Sequence, residues 1–253
     1  MNLYFKTLGE GKPLIILHGL FGSGDNWLTL AKQWAESYKV YLVDQRNHGH
    51  SPFANEMNYE VMSEDLYEFF ASEGLRDVYL MGHSMGGKTV LRFAQKYDFL
   101  IEKMVVADMG IKQYKPHHED IFKALLAVDV ANRTSRKEVE EVLSAHIKDE
   151  GTKQFLLKNL YWKEQGVLAW RFNLDILFTQ RNEVIQALPS ERINVDTLFL
   201  SGGNSDYVLE KDKESIRTLV PNAHFETIEN AGHWLHAEAP KQFMDKVNHF
   251  LDN

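Results

Sequence analysis

The sequence predicts an α/β fold, with a mostly parallel central sheet flanked by helices and a helical segment inserted into it. Two observations predict this fold. Short apolar runs alternate with longer amphipathic stretches over the first hundred residues and again after residue 195, as is typical of parallel strands joined by helices. Residues 111–195 instead show helical periodicity and no convincing strand. We therefore expect a core domain from residues 1–110 and 196–253, and a helical cap, or lid, from residues 111–195.

Apolar runs of four or five residues predict the strands, because they are too short for helices and suit a sheet covered on both faces. The predicted strands are Pro13–Leu17, Val40–Val43, Val78–Met81, Met104–Ala107, Thr197–Leu200 and Phe225–Ile228. Apolar residues at helical spacing predict the helices. In the core these are Asp25–Glu36, Tyr59–Ser72, Met85–Tyr97, Lys211–Leu219 and Pro240–Leu251, and in the lid Ile121–Val130, Lys137–Ile147, Lys153–Tyr161 and Leu174–Ala187.

The bulk composition is that of an ordinary globular protein and disfavours several classes of function. The chain has 253 residues, 44% of them hydrophobic, which is ample for a buried core. Its net charge of −8 argues against nucleic acid or an anionic membrane as a partner. The absence of cysteine excludes disulfides, a cysteine nucleophile and thiolate metal sites. Neither a secretory signal nor a membrane span is predicted, so a cytoplasmic location is expected.

The motif that carries the predicted chemistry is Gly82-His83-Ser84-Met85-Gly86. It lies between a predicted strand and a predicted helix, where a serine on a sharp turn exposes its hydroxyl above the sheet. Glycines are expected two residues to either side, because a Cβ there would collide with the neighbouring strand or helix. The helix that begins beside Ser84 would direct free N–H groups toward a developing oxyanion. The motif therefore predicts a serine nucleophile.

The segment Gly82–Thr89 also matches the phosphate-binding pattern G-x-x-x-x-G-K-[ST]. The strand Met104–Ala107, followed by Asp108, even imitates the acid-terminated strand that holds magnesium in such proteins. This alternative, a P-loop nucleotide-binding protein, leaves His18 and the isolated His233 without a function. A serine hydrolase uses both residues, and we therefore favour it.

A serine nucleophile needs a base within hydrogen-bond reach, and a carboxylate to orient that base. His233 is the expected base, because it follows the last predicted strand on a loop where the carboxyl ends of the strands gather. Two acids compete for the third place. Asp206 follows the strand Thr197–Leu200, and Asp108 ends the strand Met104–Ala107. The residues themselves leave this choice open.

The other histidines near these loops and in the lid are interpreted as structural or solvent-exposed residues. His236 is expected at the start of the last helix in a structural role. If His233 and His236 were metal ligands, the site would need at least a third ligand, and no metal-binding pattern in the sequence supplies one. The tract His117–Asp120 is expected to be a solvated helix start in the lid. No metal site is therefore predicted.

An oxyanion formed at the serine would need two backbone N–H donors. One is expected from Met85, directly after the nucleophile. The other is expected from Leu20, in the loop after the first predicted strand, with Phe21 as the next candidate. Phe21, His83 and Trp234 adjoin these groups in the sequence and are expected to contact the substrate.

Together these segments resemble the α/β-hydrolase superfamily, and within it the YbfF-like bacterial esterases related to human abhydrolase-domain protein eleven. The resemblance spans nearly the whole chain, lid included. Its most specific parts are the Arg-Asn-His-Gly tract and the lysine that follows the serine motif. The segments that carry it are His18–Ser23, Asp44–Pro52, Gly82–Lys88, Trp170–Leu174, Gly202–Ser205 and Ala231–His236.

The resemblance implies hydrolysis of the ester or thioester of a small to medium acyl group through an acyl-enzyme, with no cofactor. The expected partner is therefore a small-molecule acyl ester or thioester. The resemblance also implies that the position of Asp108 carries a carboxylate more regularly than that of Asp206, which brings the two acids near parity. It further implies that Arg46, Asn47 and His48 brace the loop after the second predicted strand.

A menaquinone-pathway elimination enzyme on the same fold is the nearest enzymatic alternative. Such enzymes resemble this chain over His18–Ser23 and Ser84–Gly87. They usually carry a Pro-Gly-His-Gly-like tract where this chain has Arg46–Gly49, and this difference favours the esterase.

The aromatic and leucine side chains of the lid are expected to form an apolar acyl pocket.

Overall fold

The computed structural model describes residues 1–116 and 118–253, so the predicted helix start at His117 lies partly outside the described residues. The strands, in chain order, are β1 (Phe5–Leu8), β2 (Lys12–Leu17), β3 (Tyr38–Val43), β4 (Val78–His83), β5 (Ile101–Ala107), β6 (Leu160–Glu164), β7 (Val167–Trp170), β8 (Asp196–Gly202) and β9 (Ala223–Ile228).

Apart from the short helix Leu235–Glu238, which was not predicted, the helices lie in the predicted helical regions with shifted ends. In chain order they are α1 (Leu28–Trp34), α2 (Tyr59–Glu73), α3 (Met85–Tyr97), α4 (Glu119–Ala127), α5 (Arg136–Ser144), α6 (Glu150–Leu157), α7 (Leu174–Thr179), α8 (Arg181–Ile185), α9 (Glu210–Leu219), α10 (Leu235–Glu238) and α11 (Pro240–Asp252). A 3₁₀ turn, Gly24–Trp27, precedes α1 and occupies the start of the helix predicted there.

Within the described ranges, seven strands form the central sheet in the order β1-β3-β2-β4-β5-β8-β9. β1 pairs antiparallel with β3, and the other neighbours pair in parallel. The mostly parallel sheet predicted from the sequence is therefore confirmed. β1 is an additional strand that the sequence did not predict. It is a short edge strand without a fully buried side chain, and such a strand needs no apolar run.

Strand β2 explains why the predicted strands are apolar at every position. Ile15 and Leu17 join the hydrophobic core on one face of the sheet, where α2 and α3 pack. Leu14 and Ile16 join a second core on the other face, where α1 and α11 pack. Because successive strand residues point to opposite faces, a sheet covered on both sides requires an unbroken apolar run.

Residues 111–195 connect β5 to β8, which are neighbours in the sheet. The two ends of this insertion lie side by side. The Tyr114 amide donates to the Ile185 carbonyl at 2.9 Å, and the Leu188 amide donates to the Ile111 carbonyl at 2.9 Å. The chain therefore leaves and re-enters the core at one place. The division into a core domain and a separate lid domain stays a prediction.

The expectation that the insertion is purely helical is wrong. β6 and β7 form an antiparallel hairpin in which Leu160 lies opposite Trp170, with Gly166 at a φ of 81° in the turn. The predicted helix Lys153–Tyr161 accordingly ends at Leu157. The hairpin strands have only five and four residues, which is too short for an alternating pattern to stand out in the sequence.

The last predicted helix of the insertion is also divided. α7 and α8 meet at Gln180, and the side chain of this residue bonds to the loop that precedes α2. Its amide oxygen accepts a hydrogen bond from the Met57 amide at 2.7 Å, and its amide nitrogen donates to the Asn55 carbonyl. This contact between the insertion and the core lies at the break in the helix.

Candidate active site

Ser84 occupies a sharp turn between β4 and α3, with φ 53° and ψ −119°. Non-glycine residues rarely adopt a positive φ, and such strain persists only where the surroundings fix it. The two flanking glycines allow the surrounding backbone to pack closely enough to hold this conformation. A Cβ on Gly82 would lie 2.2 Å from the Gly86 carbonyl oxygen, and a Cβ on Gly86 would lie 2.6 Å from the carbonyl oxygens of Leu17 and His18. The turn can form only with glycine at both places.

His233 connects the serine to a carboxylate. Its Nε2 lies 2.9 Å from the Ser84 Oγ, and its Nδ1 lies 2.7 Å from the Asp108 Oδ2. With the Nδ1–H donating to the carboxylate, the Nε2 lone pair faces the serine hydroxyl. The imidazole is therefore in the tautomer that accepts the hydroxyl proton.

Asp108 follows β5 and is fully buried. Its φ of 46° turns the side chain toward the adjacent loops. The Gly202 amide donates to its Oδ1 at 3.1 Å, and the Ser205 hydroxyl donates to its Oδ2, which also faces His233. Donors to both oxygens compensate the cost of burying a carboxylate. The other candidate acid, Asp206, is exposed to solvent.

Tyr207 covers one face of the His233 imidazole, a contact that was not predicted from the sequence. Its ring stacks on the His233 ring with 3.8 Å between centroids and 14° between planes. Its backbone carbonyl accepts a hydrogen bond from the Tyr114 hydroxyl of the insertion at 3.0 Å. Its position directly after Asp206, in a loop at the sheet edge, is the only sequence signal that could have suggested the contact.

The predicted oxyanion loop is a turn in which the Gly22 amide donates to the Gly19 carbonyl at 3.0 Å. Phe21 occupies its third position with a φ of 60°, a conformation that turns usually assign to glycine. The Phe21 amide donates to the Nε2 of His48 at 3.2 Å and is thus engaged. The amides of Leu20 and Met85 have no hydrogen-bond acceptor among the described residues.

Two buried histidines hold this turn against the loop that follows β3. His48 directs its Nδ1–H to the Arg46 carbonyl at 2.9 Å, which leaves its Nε2 as the acceptor for Phe21. His18 likewise directs its Nδ1–H to the Gly19 carbonyl and accepts the Gln45 amide at its Nε2. Burial lowers the pKa of His18 to about 4 and that of His48 to about 3. Both rings therefore stay neutral and keep these acceptors at physiological pH.

Arg46 and Asn47 fix the same loop from its other side. Arg46 forms a buried ion pair with Asp65 at 2.6 Å. Asn47, at a φ of 64°, accepts the Asn173 amide of the insertion at its carbonyl at 2.9 Å. The tract that the resemblance described as bracing thus bonds both to the core helix α2 and to the insertion.

The structure brings the three predicted substrate-contacting residues to one small cavity above Ser84. The Phe21 ring is only 2% exposed and packs edge-on against Phe122 and Phe172 of the insertion. The His83 Nε2–H donates to the His233 carbonyl at 2.8 Å, and burial holds the pKa of His83 well below its usual value. His83 therefore supports the backbone of His233. Trp234 presents a half-buried ring to the cavity.

Lys88 does not face the turn as a phosphate-binding lysine would. Its side chain is fully buried, and its ammonium donates to the carbonyls of Lys112, at 2.9 Å, and of Gln186. It also lies over the Tyr114 ring, 4.9 Å from the centroid. The lysine thus links α3 to the two ends of the insertion, and the geometry gives no support to the P-loop alternative.

Comparison with known proteins identifies the class of this chain. The family of the α/β hydrolase fold matches residues 12–240, and the chain belongs to that family. Within it, the chain belongs to the group that contains the esterase YbfF and the lipase ABHD11. Ester hydrolysis is the class of reaction that these relatives support.

Three similar proteins illustrate the group. A putative esterase/lipase of Haemophilus influenzae is 38% identical, over 94% of this chain and 83% of its own length. The sn-1-specific diacylglycerol lipase ABHD11 of Mus musculus is 40% identical, over 94% of this chain and 80% of its own length. A solved marine microorganism esterase is 42% identical with a TM-score of 0.96, and the alignment covers 98% of both chains.

No helix within residues 1–116 and 118–253 is both long enough and apolar enough to span a bilayer.

Proposed function

We propose that this chain is a serine ester hydrolase that works through an acyl-enzyme. The observation that carries the proposal is the chain of contacts from the Ser84 hydroxyl to the His233 imidazole and from there to the buried Asp108 carboxylate. A neutral serine is a weak nucleophile, and an oriented imidazole is the base that activates it.

In the first half-reaction, the Ser84 Oγ attacks the carbonyl carbon of the ester and its proton passes to the His233 Nε2. The carbon–oxygen bond to the alcohol then breaks, and the imidazolium gives its proton to the departing oxygen. In the second half-reaction, water gives a proton to His233 and attacks the acyl carbon. Ser84 then leaves with the proton, which restores the enzyme. Asp108 stabilises the imidazolium in both halves.

The oxyanion of each tetrahedral intermediate would be bound by the amides of Leu20 and Met85. Two observations support this assignment over the Phe21 amide. The Phe21 amide is already engaged by His48, and Met85 is the first residue of α3, where amides lack partners within the helix. Such preorganised donors commonly contribute about a hundredfold or more to the rate of acyl transfer.

Oxygen esters are the proposed substrates, and thioesters are the alternative that uses the same machinery. The similar proteins described above carry the names esterase or lipase, which favours oxygen esters. An elimination reaction of the menaquinone-pathway type is less well supported, since Arg46–Gly49 departs from the usual tract of those enzymes. A cytoplasmic location stays a prediction.

The test is covalent labelling with a fluorophosphonate, together with hydrolysis of p-nitrophenyl acetate. We expect the wild-type chain to be labelled and to release p-nitrophenol, and Ser84→Ala to do neither. Lys32→Ala, on the exposed surface of α1, is the matched control and should behave as wild type. Labelling that persists in Ser84→Ala would refute the assignment of the nucleophile, and a wild-type chain inert to both reagents would refute the proposed function.

A further inference from the structure

Tyr207 lies against the His233 imidazole and is linked to Asp108, the partner of that imidazole. The tyrosine ring is stacked on the His233 ring, 14° from parallel, with 3.8 Å between the centroids. Its backbone amide donates to the Ser205 hydroxyl at 3.3 Å, and this hydroxyl donates to the Asp108 carboxylate. One residue of the loop after β8 is therefore in contact with the expected base and one hydrogen bond removed from the acid.

Tyr114, near the start of the insertion, holds Tyr207 in this place. Its hydroxyl donates to the Tyr207 carbonyl at 3.0 Å and accepts the Gly110 amide at 2.8 Å. The two tyrosine rings also meet, with 5.2 Å between centroids. Burial raises the pKa of Tyr114 above its ordinary value, so the hydroxyl keeps the proton that it donates. Because Gly110 lies two residues after Asp108, a single hydroxyl joins the segment of the acid to the loop that covers His233.

The position of Tyr114 depends in turn on how the insertion is seated on the core. Its backbone amide donates to the Ile185 carbonyl, near the other end of the insertion, at 2.9 Å. Its ring lies 4.9 Å from the ammonium of Lys88, which belongs to the core helix α3. A chain of contacts thus runs from the junction of core and insertion, through Tyr114 and Tyr207, to the His233 imidazole.

The stacked ring adds a restraint that hydrogen bonds alone do not provide. The contacts with Ser84 and Asp108 hold the two nitrogens of His233, but they leave its ring able to swing about the line that joins these atoms. A flat side chain against one face opposes that swing. A displacement of about 1 Å from the productive geometry can lower a rate by up to about a hundredfold, so this restraint matters for the transfer of the serine proton.

Neither tyrosine lines the cavity above Ser84 that the described residues form. Replacing Tyr114 or Tyr207 should therefore change the rate of the reaction and leave the binding of the substrate almost unchanged. The electron-rich face of Tyr207 also favours the imidazolium that forms when His233 accepts the serine proton. Both effects act in the transition state through His233 and not through the substrate.

We infer that Tyr207 is a positioning residue for the His233 base, and that Tyr114 acts through Tyr207. The insertion then contributes to the reaction through Tyr114, in addition to supplying walls of the cavity. This inference rests on the proposed serine hydrolase function and deepens it, because it names two residues outside the serine, histidine and carboxylate that set its rate.

The first test measures kcat and KM for p-nitrophenyl acetate in variants of Tyr207. Tyr207→Leu removes the flat face, and we expect kcat to fall by roughly tenfold or more while KM stays within about twofold of wild type. Tyr207→Phe keeps the stacked ring and should stay within about threefold of the wild-type kcat. The rate of fluorophosphonate labelling of Ser84 should fall in parallel with kcat, because it needs the same base.

The second test removes only the bridging hydroxyl. Tyr114→Phe leaves the Gly110 amide and the Tyr207 carbonyl without this partner, and kcat should fall by about threefold to tenfold. In the double variant Tyr114→Phe/Tyr207→Leu the loss should hardly exceed that of Tyr207→Leu alone, because Tyr114 acts through Tyr207. Tyr38→Phe is the matched control. It makes the same chemical change at a hydroxyl that donates to Asp252 on the surface at 3.0 Å, and it should keep the wild-type kcat.

A spectroscopic readout separates positioning from a general loss of stability. The proton between the His233 Nδ1 and Asp108 should give a far-downfield proton NMR resonance, since it lies in a short, charge-assisted hydrogen bond. This resonance should move or broaden in Tyr207→Leu and keep its wild-type position in Tyr38→Phe. Thermal denaturation of each variant verifies that it is folded at the temperature of the assay.

A folded Tyr207→Leu with the kcat and the resonance of the wild type overturns the inference. So does a Tyr207→Phe that loses as much activity as Tyr207→Leu, because the ring face would then not be the group that acts. If Tyr207→Leu does not fold, a Tyr114→Phe with wild-type kcat overturns the inference instead. In all three cases labelling of the wild type at Ser84 would still uphold the proposed function, whereas a wild type that is neither labelled nor active would refute that function itself.

Discussion

The Asp108 carboxylate lies 2.7 Å from the His233 Nδ1, although β8, β9 and the whole insertion separate the two residues in the chain. Asp108 is fully buried, and its carboxylate also accepts hydrogen bonds from the Gly202 amide and the Ser205 hydroxyl. The exposed Asp206 has no comparable environment. A single carboxylate is therefore set up to hold the imidazole in one tautomer.

We predict that Asp108→Asn lowers kcat/KM for a p-nitrophenyl ester by about 10³- to 10⁴-fold, because the amide favours the wrong imidazole tautomer. Asp206→Asn is the matched control, since it makes the same chemical change at the competing position, and it should stay within about twofold of wild type. Circular dichroism would verify folding. Equal, small losses in both variants, or a larger loss in Asp206→Asn, would remove Asp108 from the proposed mechanism.

A second prediction concerns the neutral histidine that accepts the Phe21 amide. In His48→Leu this buried amide loses its acceptor, and the turn that aims the Leu20 amide should loosen. We expect kcat to fall by roughly tenfold, less than the loss of a whole oxyanion donor. The pH dependence of kcat should keep its position, because burial already lowers the pKa of His48 to about 3. A profile displaced along the pH axis would mean that His48 takes part in proton transfer.

His50→Leu is the control for His48→Leu. His50 lies two residues further along the same loop, but its side chain is 38% exposed and contacts Asp44 and Tyr4 away from the turn. Its replacement should leave kcat within about twofold of wild type, as is usual for surface positions. Equal losses in the two variants would indicate a general loosening of the loop instead of the loss of one acceptor.

The serine turn was predictable from the sequence because its chemistry is local. Ser84, Gly82 and Gly86 lie within five consecutive residues, and a Cβ on Gly82 would collide with Gly86 inside this same segment. A Cβ on Gly86 would collide with the end of β2, which lies beside β4. The parallel sheet was likewise predictable from the alternation of apolar runs, because each strand is buried on both faces of the sheet.

The acid and the shape of the cavity could not be predicted in the same way. Whether Asp108 or Asp206 meets His233 depends on how three loops converge at the sheet edge, and only spatial packing decides that. The hairpin of the insertion was not predicted because its strands are short and half-buried. Tyr207 and Phe155 contact the site through tertiary packing alone, which leaves no periodic signal in the sequence.

A third prediction tests the serine turn through stability. In Gly82→Ala the new Cβ would lie 2.2 Å from the Gly86 carbonyl oxygen, and neither backbone segment can move without breaking the sheet or α3. We expect a loss of at least about 3 kcal/mol in the free energy of unfolding, measured by urea denaturation. Gly151→Ala is the matched control. It lies on the exposed first turn of α6, where the nearest atom is 3.3 Å away, and should be neutral or stabilising by up to about 1 kcal/mol. A well-folded, stable Gly82→Ala would show that the turn tolerates a side chain there.

The last prediction concerns the buried lysine that joins α3 to both ends of the insertion. Desolvation lowers the pKa of Lys88 from 10.5 to about 7. Between these values the unfolded chain binds a proton that the folded chain has released. Raising the pH through this range therefore stabilises the folded state, by up to about 1.4 kcal/mol per pH unit for one proton. Below pH 7 both states are protonated, and the cost of burying the ammonium is fully present.

Lys88→Met removes this titration while it keeps the length and the apolar character of the side chain. We expect the free energy of unfolding of the wild type to rise relative to that of Lys88→Met as the pH increases from about 7 to 10. Lys96→Met, on the same helix, is the control. Desolvation lowers the pKa of Lys96, but its hydrogen bonds to Glu60 and Glu64 and the charges of these carboxylates together outweigh it and raise the pKa above 10.5. Lys96 therefore stays charged in the folded state over this range, and the curve of Lys96→Met should run nearly parallel to the wild type. If the curve of Lys88→Met is also parallel, the lysine is charged throughout, and its carbonyl and aromatic contacts are sufficient to hold an ammonium between the core and the insertion.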